Sequence, residues 1–166
     1  MLYLIGVNHV LQHESTQHNL SKIVRDKRAS FKAHVLEVIK KFGISVLAEE
    51  FSEQAKKKPL MESVGETTLE HIARHKRIEH RFCDPTVAER KENEIEQSDS
   101  EKREQFWLSR IQDYKNKNVL FVCGDDHFQS FGEKLTAAGF DVKHGPRWDI
   151  NEDEWSIIVH EIWAAS

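Results

Sequence analysis

Short, nearly unbroken apolar runs alternate along this chain with stretches whose apolar residues recur every three or four positions. Five runs predict strands: Leu2 to Val7, Ile44 to Ala48, Ile78 to Cys83, Val119 to Cys123, and Phe140 to Lys143. The first, second and fourth lack polar alternation, the pattern of strands covered on both faces of a parallel sheet. The third, Ile78-Glu79-His80-Arg81-Phe82-Cys83, mixes charge into the run and suits a place near a sheet edge. Helical spacing fills the gaps. Phe31, Val35, Val38, Ile39 and Phe42 share a helix face, and Gly43 supplies its stop. Thr67 to Lys76 carries Leu69, Ile72 and Ala73, and a further helix runs from about Ser100 to Tyr114 with Phe106, Trp107, Ile111 and Tyr114. Phe131, Leu135 and Ala138 mark another, stopped by Gly139. Trp155, Ile158, Val159, Ile162 and Trp163 form an apolar stripe on a C-terminal helix, capped by Asn151 or Asp153.

Strand alternating with helix predicts a single α/β domain over residues 1–166: three layers, with a mainly parallel sheet of about five strands flanked by helices. Such sheets bind ligands beyond the carboxyl ends of their strands, so the residues following each strand become the search space. Gly6-Val7-Asn8-His9, then His13-Glu14, follow the first strand. Glu49-Glu50-Phe51 follow the second, Asp84-Pro85 the third, and Gly124-Asp125-Asp126-His127 the fourth. Histidine and carboxylate are therefore delivered to one rim by four strands. A glycine three residues before each histidine lets the backbone turn and approach a ligand closely.

Imidazole and carboxylate together suit zinc, manganese, cobalt or iron, and an open coordination position would acidify a bound water. A glutamate beside the histidines, Glu49 or Glu14, is the metal-free alternative as general base. Taken singly, His9 or His127 reads more often as a hydrogen-bonded helix-start histidine than as a ligand. Asp84 before Pro85 reads as a turn or cap residue, and Asp125 or Asp126 as an N-cap. The repeated Gly-x-x-His spacing is what sets the histidines apart. Ser52 to Glu66, with Lys56-Lys57-Lys58-Pro59, and the densely charged Asp84 to Lys102 read as solvated loops or exposed helix, or as flaps over the rim.

Composition narrows the partners. At 166 residues, 39% hydrophobic and 31% charged, the chain can bury a core without disulfides or structural metal. No apolar run approaches the roughly 20 residues of a membrane span, so no membrane partner is expected. The opening Met1-Leu2-Tyr3-Leu4-Ile5 has no basic n-region, and Cys83 and Cys123 cannot make a disulfide framework; the expectation is a reduced, cytoplasmic protein. Cys123, before Gly124, reads as a packing cysteine rather than a nucleophile. A net charge of −4 argues against a dedicated nucleic-acid binder, since Lys56 to Lys58 and Arg74 to Arg77 are only short basic runs. The 10 histidines keep a metal or acid–base site in view. The C-terminal stripe packs on the protein's own sheet or, alternatively, forms a homodimer interface.

The order of these motifs resembles the TraB/TIKI superfamily, which also takes in erythromycin-esterase-like and ChaN-like proteins. The resemblance rests on Gly6 and His9 after the first strand, Glu49 or Glu50 ending the second, and Gly124 and His127 after the fourth. It also rests on Arg103-Glu104-Gln105-Phe106-Trp107-Leu108, similar to the family's helix that begins Arg-Asp/Glu. It implies a metal-dependent hydrolase acting on a small-molecule or peptide substrate, cleaving an ester, amide or phosphoester, or else a ligand-binding site. His9, His127 and one of Glu49 and Glu50, with Glu49 favoured, would hold the divalent ion. Asp84 would complete or orient that set, and Arg103 or Arg90 would hold an anionic group.

Overall fold

The computed structural model describes residues 1–12, 21–54 and 66–164. Five strands pair in parallel throughout: β1 (Leu2–Val7), β2 (Val46–Glu49), β3 (Glu79–Phe82), β4 (Val119–Gly124) and β5 (Val142–Trp148). Their spatial order is β3-β2-β4-β1-β5. The helices are α1 (His9–Gln12), α2 (Lys22–Phe42), α3 (Thr68–Lys76), α4 (Val87–Glu92), α5 (Ser100–Ile111), α6 (Phe128–Ala137) and α7 (Glu152–Ala164). Short 3-10 turns follow α5 and β4, at Gln112–Tyr114 and Asp125–His127.

Strand periodicity sorts the apolar side chains into two layers. Ile5 and Val7 of β1 and Leu120 and Val122 of β4 pack with Phe31 and Val35 of α2, Leu69 and Ile72 of α3, and Ile158 of α7. The alternate residues, Leu2, Leu4, Phe121 and Cys123, pack with Trp107 and Ile111 of α5 and Phe131 and Leu135 of α6. The architecture is therefore the expected three-layer α/β arrangement, and α2, α3 and α7 lie opposite α5 and α6. β1 and β4, each with a strand on both sides, occupy the centre that their unbroken apolar runs imply.

That topology also makes the cleft. From β1 the chain crosses toward β2, and from β4 it crosses the other way toward β5. Neighbouring strands whose connections part in opposite directions leave a crevice at their carboxyl ends. His9 follows β1 and His127 follows β4, so both Gly-x-x-His segments flank this crevice.

Several element boundaries differ from the sequence expectation for physical reasons. β3 is an edge strand, as its charges suggest. β5 begins at Val142 and runs through Lys143-His144-Gly145-Pro146-Arg147 to Trp148. Its polar residues are tolerated because it is the other edge, and the β1–β5 register shifts between Leu4 and Gly6. α2 begins a full nine residues before Phe31 and ends at Gly43, whose φ of 59° carries the N–H back to the Ile39 carbonyl. The charged segment after Asp84 contains α4, started by a reciprocal capping box between Thr86 and Glu89. Asn151 is the residue that caps α7, its Oδ1 accepting from the Glu154 N–H at 2.9 Å.

The apolar stripe of α7 divides. Ile158 is fully buried and Trp155 and Ile162 pack partly on the core, whereas Val159 and Trp163 face outward with Ile157. Among the described residues no helix is long and apolar enough to cross a membrane.

Candidate functional site

The crevice is a cleft of about 710 Å³ lined by residues from the ends of β1, β2 and β4 and from the segment after β3. His9, Glu50, Asp84, Arg90, Arg103 and His127 all contribute to its wall.

Glu50 sits at its floor. The N–H of this residue, one past β2, bonds to the Val122 carbonyl at 2.8 Å and so continues the sheet register. Its carboxylate is almost fully buried. Oε2 accepts from the Gly124 N–H at 2.6 Å and Oε1 from Arg103 Nη2 at 2.7 Å.

Arg103 is the hub. From α5 it donates through Nε and Nη2 to Asp84 Oδ1 at 3.0 and 2.9 Å, while Nη2 also serves Glu50. Asp84 Oδ1 receives the Trp107 indole N–H as well, at 3.1 Å, and Oδ2 receives Arg90 Nη2 at 2.5 Å. Burial works against the charge on Arg103, but Asp84 and then Glu50 outweigh it and raise its pKa. Each carboxylate thus has a guanidinium partner, which burial at this depth demands.

His127 is held from behind. Nδ1 donates to Glu104 Oε1 at 2.8 Å; a carboxylate only accepts, so the ring proton is on that nitrogen. Glu104 is 1% exposed and also accepts from the Ser130 hydroxyl at 2.6 Å, with Lys134 Nζ 3.3 Å from its other oxygen. The imidazole packs edge-on against Trp107, with ring centroids 4.8 Å apart. Its Nε2 faces Arg103 Nη1 at 3.5 Å and Glu50 Oε1 at 3.6 Å. Among the described residues Nη1 has no closer acceptor than that ring nitrogen.

His9 opens α1 and is exposed, with Nδ1 paired to Gln12 Oε1 at 3.0 Å. Its Nε2 lies 2.9 Å, and Glu50 Oε2 3.1 Å, from the point a Cβ on Gly124 would occupy. The absent side chain at Gly124 therefore makes room for both, and the two atoms are no more than about 6 Å apart, the sum of those distances. Gly-x-x-His after β4 has a steric reason: the glycine admits the other histidine.

The expectation for Glu49 is corrected. Residue parity turns it to the opposite face from Glu50, where its Oε1 accepts from the Thr67 hydroxyl at 2.6 Å and from His80 Nε2 at 2.7 Å. Glu49 is fully buried there and no part of the cleft wall. His13 and Glu14, and Lys56 to Lys58, lie outside the described residues. Cys83 and Cys123 are buried packing groups; burial pushes the Cys83 thiol up to about 12 and raises Cys123 well above its ordinary value.

Among the described residues the donor set, as it stands, does not fit a divalent ion. Among the described residues no three His, Cys, Asp or Glu side chains converge on a metal position. The reason is local: the Arg103 guanidinium occupies the cationic place between Glu50 and Asp84, and the remaining Glu50 oxygen is taken by Gly124. Comparisons with protein-family models, curated proteins and solved structures each return nothing, so the site must be read from its own chemistry.

That chemistry is an imidazole backed by a buried carboxylate, next to an under-used guanidinium nitrogen. Glu104 was not singled out by sequence, although a signal existed. Positions 104, 107, 108 and 111 form the buried stripe of α5, and Glu104 is a charged residue on that apolar face. Gln12, buried and bonded to His9, carried no such signal.

Proposed function

We propose that this chain is a hydrolase that cleaves an ester or amide bond of a small polar molecule in the cleft, with His127 as general base and no metal in the reaction. The observation that carries this reading is the buried Glu104–His127 pair in the cleft wall, whose second ring nitrogen stands beside Arg103 Nη1. Glu50 is an unsuitable base because both its oxygens already accept strong bonds.

In this scheme a water attacks the acyl carbon and gives its proton to His127 Nε2, while the carbonyl electrons move onto oxygen. Glu104 stabilises the imidazolium, as a carboxylate does behind a catalytic histidine. Arg103 Nη1 donates to the developing oxyanion. Collapse expels the alcohol or amine, which takes the proton back from His127. His9, across Gly124, accepts a hydrogen bond from the substrate and fixes its orientation. Asp84 and Glu50 hold the guanidinium in place.

The test is hydrolysis of a panel of p-nitrophenyl acyl esters. Wild-type turnover is expected, reduced in His127→Ala by about 10²–10⁴-fold, the usual worth of general-base catalysis. Equal rates for wild type and variant, on a protein that remains folded, would contradict the reading.

A further inference from the structure

Away from the cleft, α3 carries His71 and His75 four residues apart, so both project from one face of the helix. Their ring centroids are 4.1 Å apart, with the planes inclined by 34°. Each ring is anchored through Nδ1. His71 Nδ1 meets Glu66 Oε2 at 3.1 Å, and His75 Nδ1 donates to the His71 carbonyl at 2.8 Å. Glu66 is itself locked by Arg74, through Nε at 2.8 Å and Nη2 at 2.7 Å. Among the described residues neither Nε2 has a partner.

We propose that His71 and His75 form a surface site for a divalent transition metal, chelated by the two Nε2 atoms and completed by water. The chemistry follows from which nitrogens are spent. A histidine ligand ordinarily hands its second ring nitrogen to a carboxylate or a carbonyl, which fixes the tautomer and the ring. Here one ring uses a carboxylate and the other a main-chain carbonyl, before any ion arrives. A tetrahedral ion with bonds of 2.0–2.1 Å sets two nitrogens about 3.3 Å and their ring centres about 5 Å apart, so the two rings, now 4.1 Å apart, open by about 1 Å to take it. Imidazole selects zinc, copper and nickel over magnesium or calcium. Arg74 does not oppose the ion strongly, because Glu66 offsets its charge. The site is independent of the reaction proposed above, since it shares no residue with the cleft.

The experiment is titration of untagged protein, never exposed to a metal column, with Zn²⁺ and Ni²⁺ by calorimetry. The ions alone are the probes. One tight event in the micromolar range is expected, lost by at least tenfold in both His71→Gln and His75→Gln, and weakened several-fold in Glu66→Gln. His127→Ala is expected to leave it intact, which separates this site from any binding in the cleft. Circular dichroism checks that the substitutions, two at half-buried positions and one at an exposed one, keep the fold. Binding that survives both histidine substitutions, or no binding tighter than millimolar, would overturn the proposal.

Discussion

Gly124→Ala isolates the convergence of His9 and Glu50. The backbone there has φ −58° and ψ 148°, which alanine adopts freely, so any effect comes from the new methyl group. That Cβ would lie 2.9 Å from His9 Nε2, 3.2 Å from His9 Cε1 and 3.1 Å from Glu50 Oε2. Glu50 is tied down by Arg103 and by the Gly124 N–H, whereas His9 is exposed and, among the described residues, held only by Gln12. His9 therefore yields. Losing its hydrogen bond costs roughly 0.5–1.5 kcal/mol, near the lower end of the overpacking range of about 1–3 kcal/mol. Stability should fall by about 1 kcal/mol in urea melts, while kcat/KM on the acyl esters falls by about 10²-fold, the usual effect of a misplaced group. An enzyme within twofold of wild type would refute the idea that His9 acts across Gly124. A loss of several kcal/mol would instead mean that His9 cannot move.

Other expectations follow from the same geometry. Arg103→Met leaves Asp84 and Glu50 buried without their shared guanidinium, so a loss of about 3–5 kcal/mol is expected in urea melts; a loss below 1 kcal/mol would show that the carboxylates are not held as described. His34 is packed against Tyr3 and Trp148 with a buried Nε2 that has no partner among the described residues, and burial lowers its pKa. The folded state therefore binds the proton less readily than the unfolded chain. Its contribution to stability is complete above about pH 6.5 and is lost as pH falls below that value. Urea midpoints at pH 7.5 and 5.5 should differ less in His34→Gln than in wild type, and an identical pH slope would contradict this. Both thiols should resist a disulfide reagent until the protein is unfolded, given full burial and raised pKa values; rapid labelling of native protein would count against that packing.

The parts of this fold written most clearly in sequence are those buried from two sides. β1 and β4 carry continuous apolar runs because helices cover both faces, and their ends match expectation to within a residue. β5 was obscure because an edge strand can carry Lys143, Pro146 and Arg147 at little cost. The rim of the sheet was legible as a place, since strand ends announce it. The choice between Glu49 and Glu50 was not. Val46, Leu47 and Ala48 are all buried, so no polar alternation marked which face either glutamate would take. Only pairing with β4 and β3 sets that parity. Glu104 was hidden for a different reason: its partner His127 is 23 residues away and reached through the packing of α5 against α6.

The most direct measurement is steady-state hydrolysis by wild type and Glu104→Gln, both kept in a strong chelator. Glu104→Gln retains an acceptor for His127 and Ser130 but loses the charge behind the imidazole. A charged hydrogen bond of about 1.5–3 kcal/mol is thereby removed, so kcat should fall roughly 10- to 150-fold while KM stays within a fewfold. Wild-type activity should be untouched by the chelator. An unchanged kcat in the variant, or wild-type activity that vanishes with chelation and returns with added metal, would contradict a metal-free Glu104–His127 mechanism.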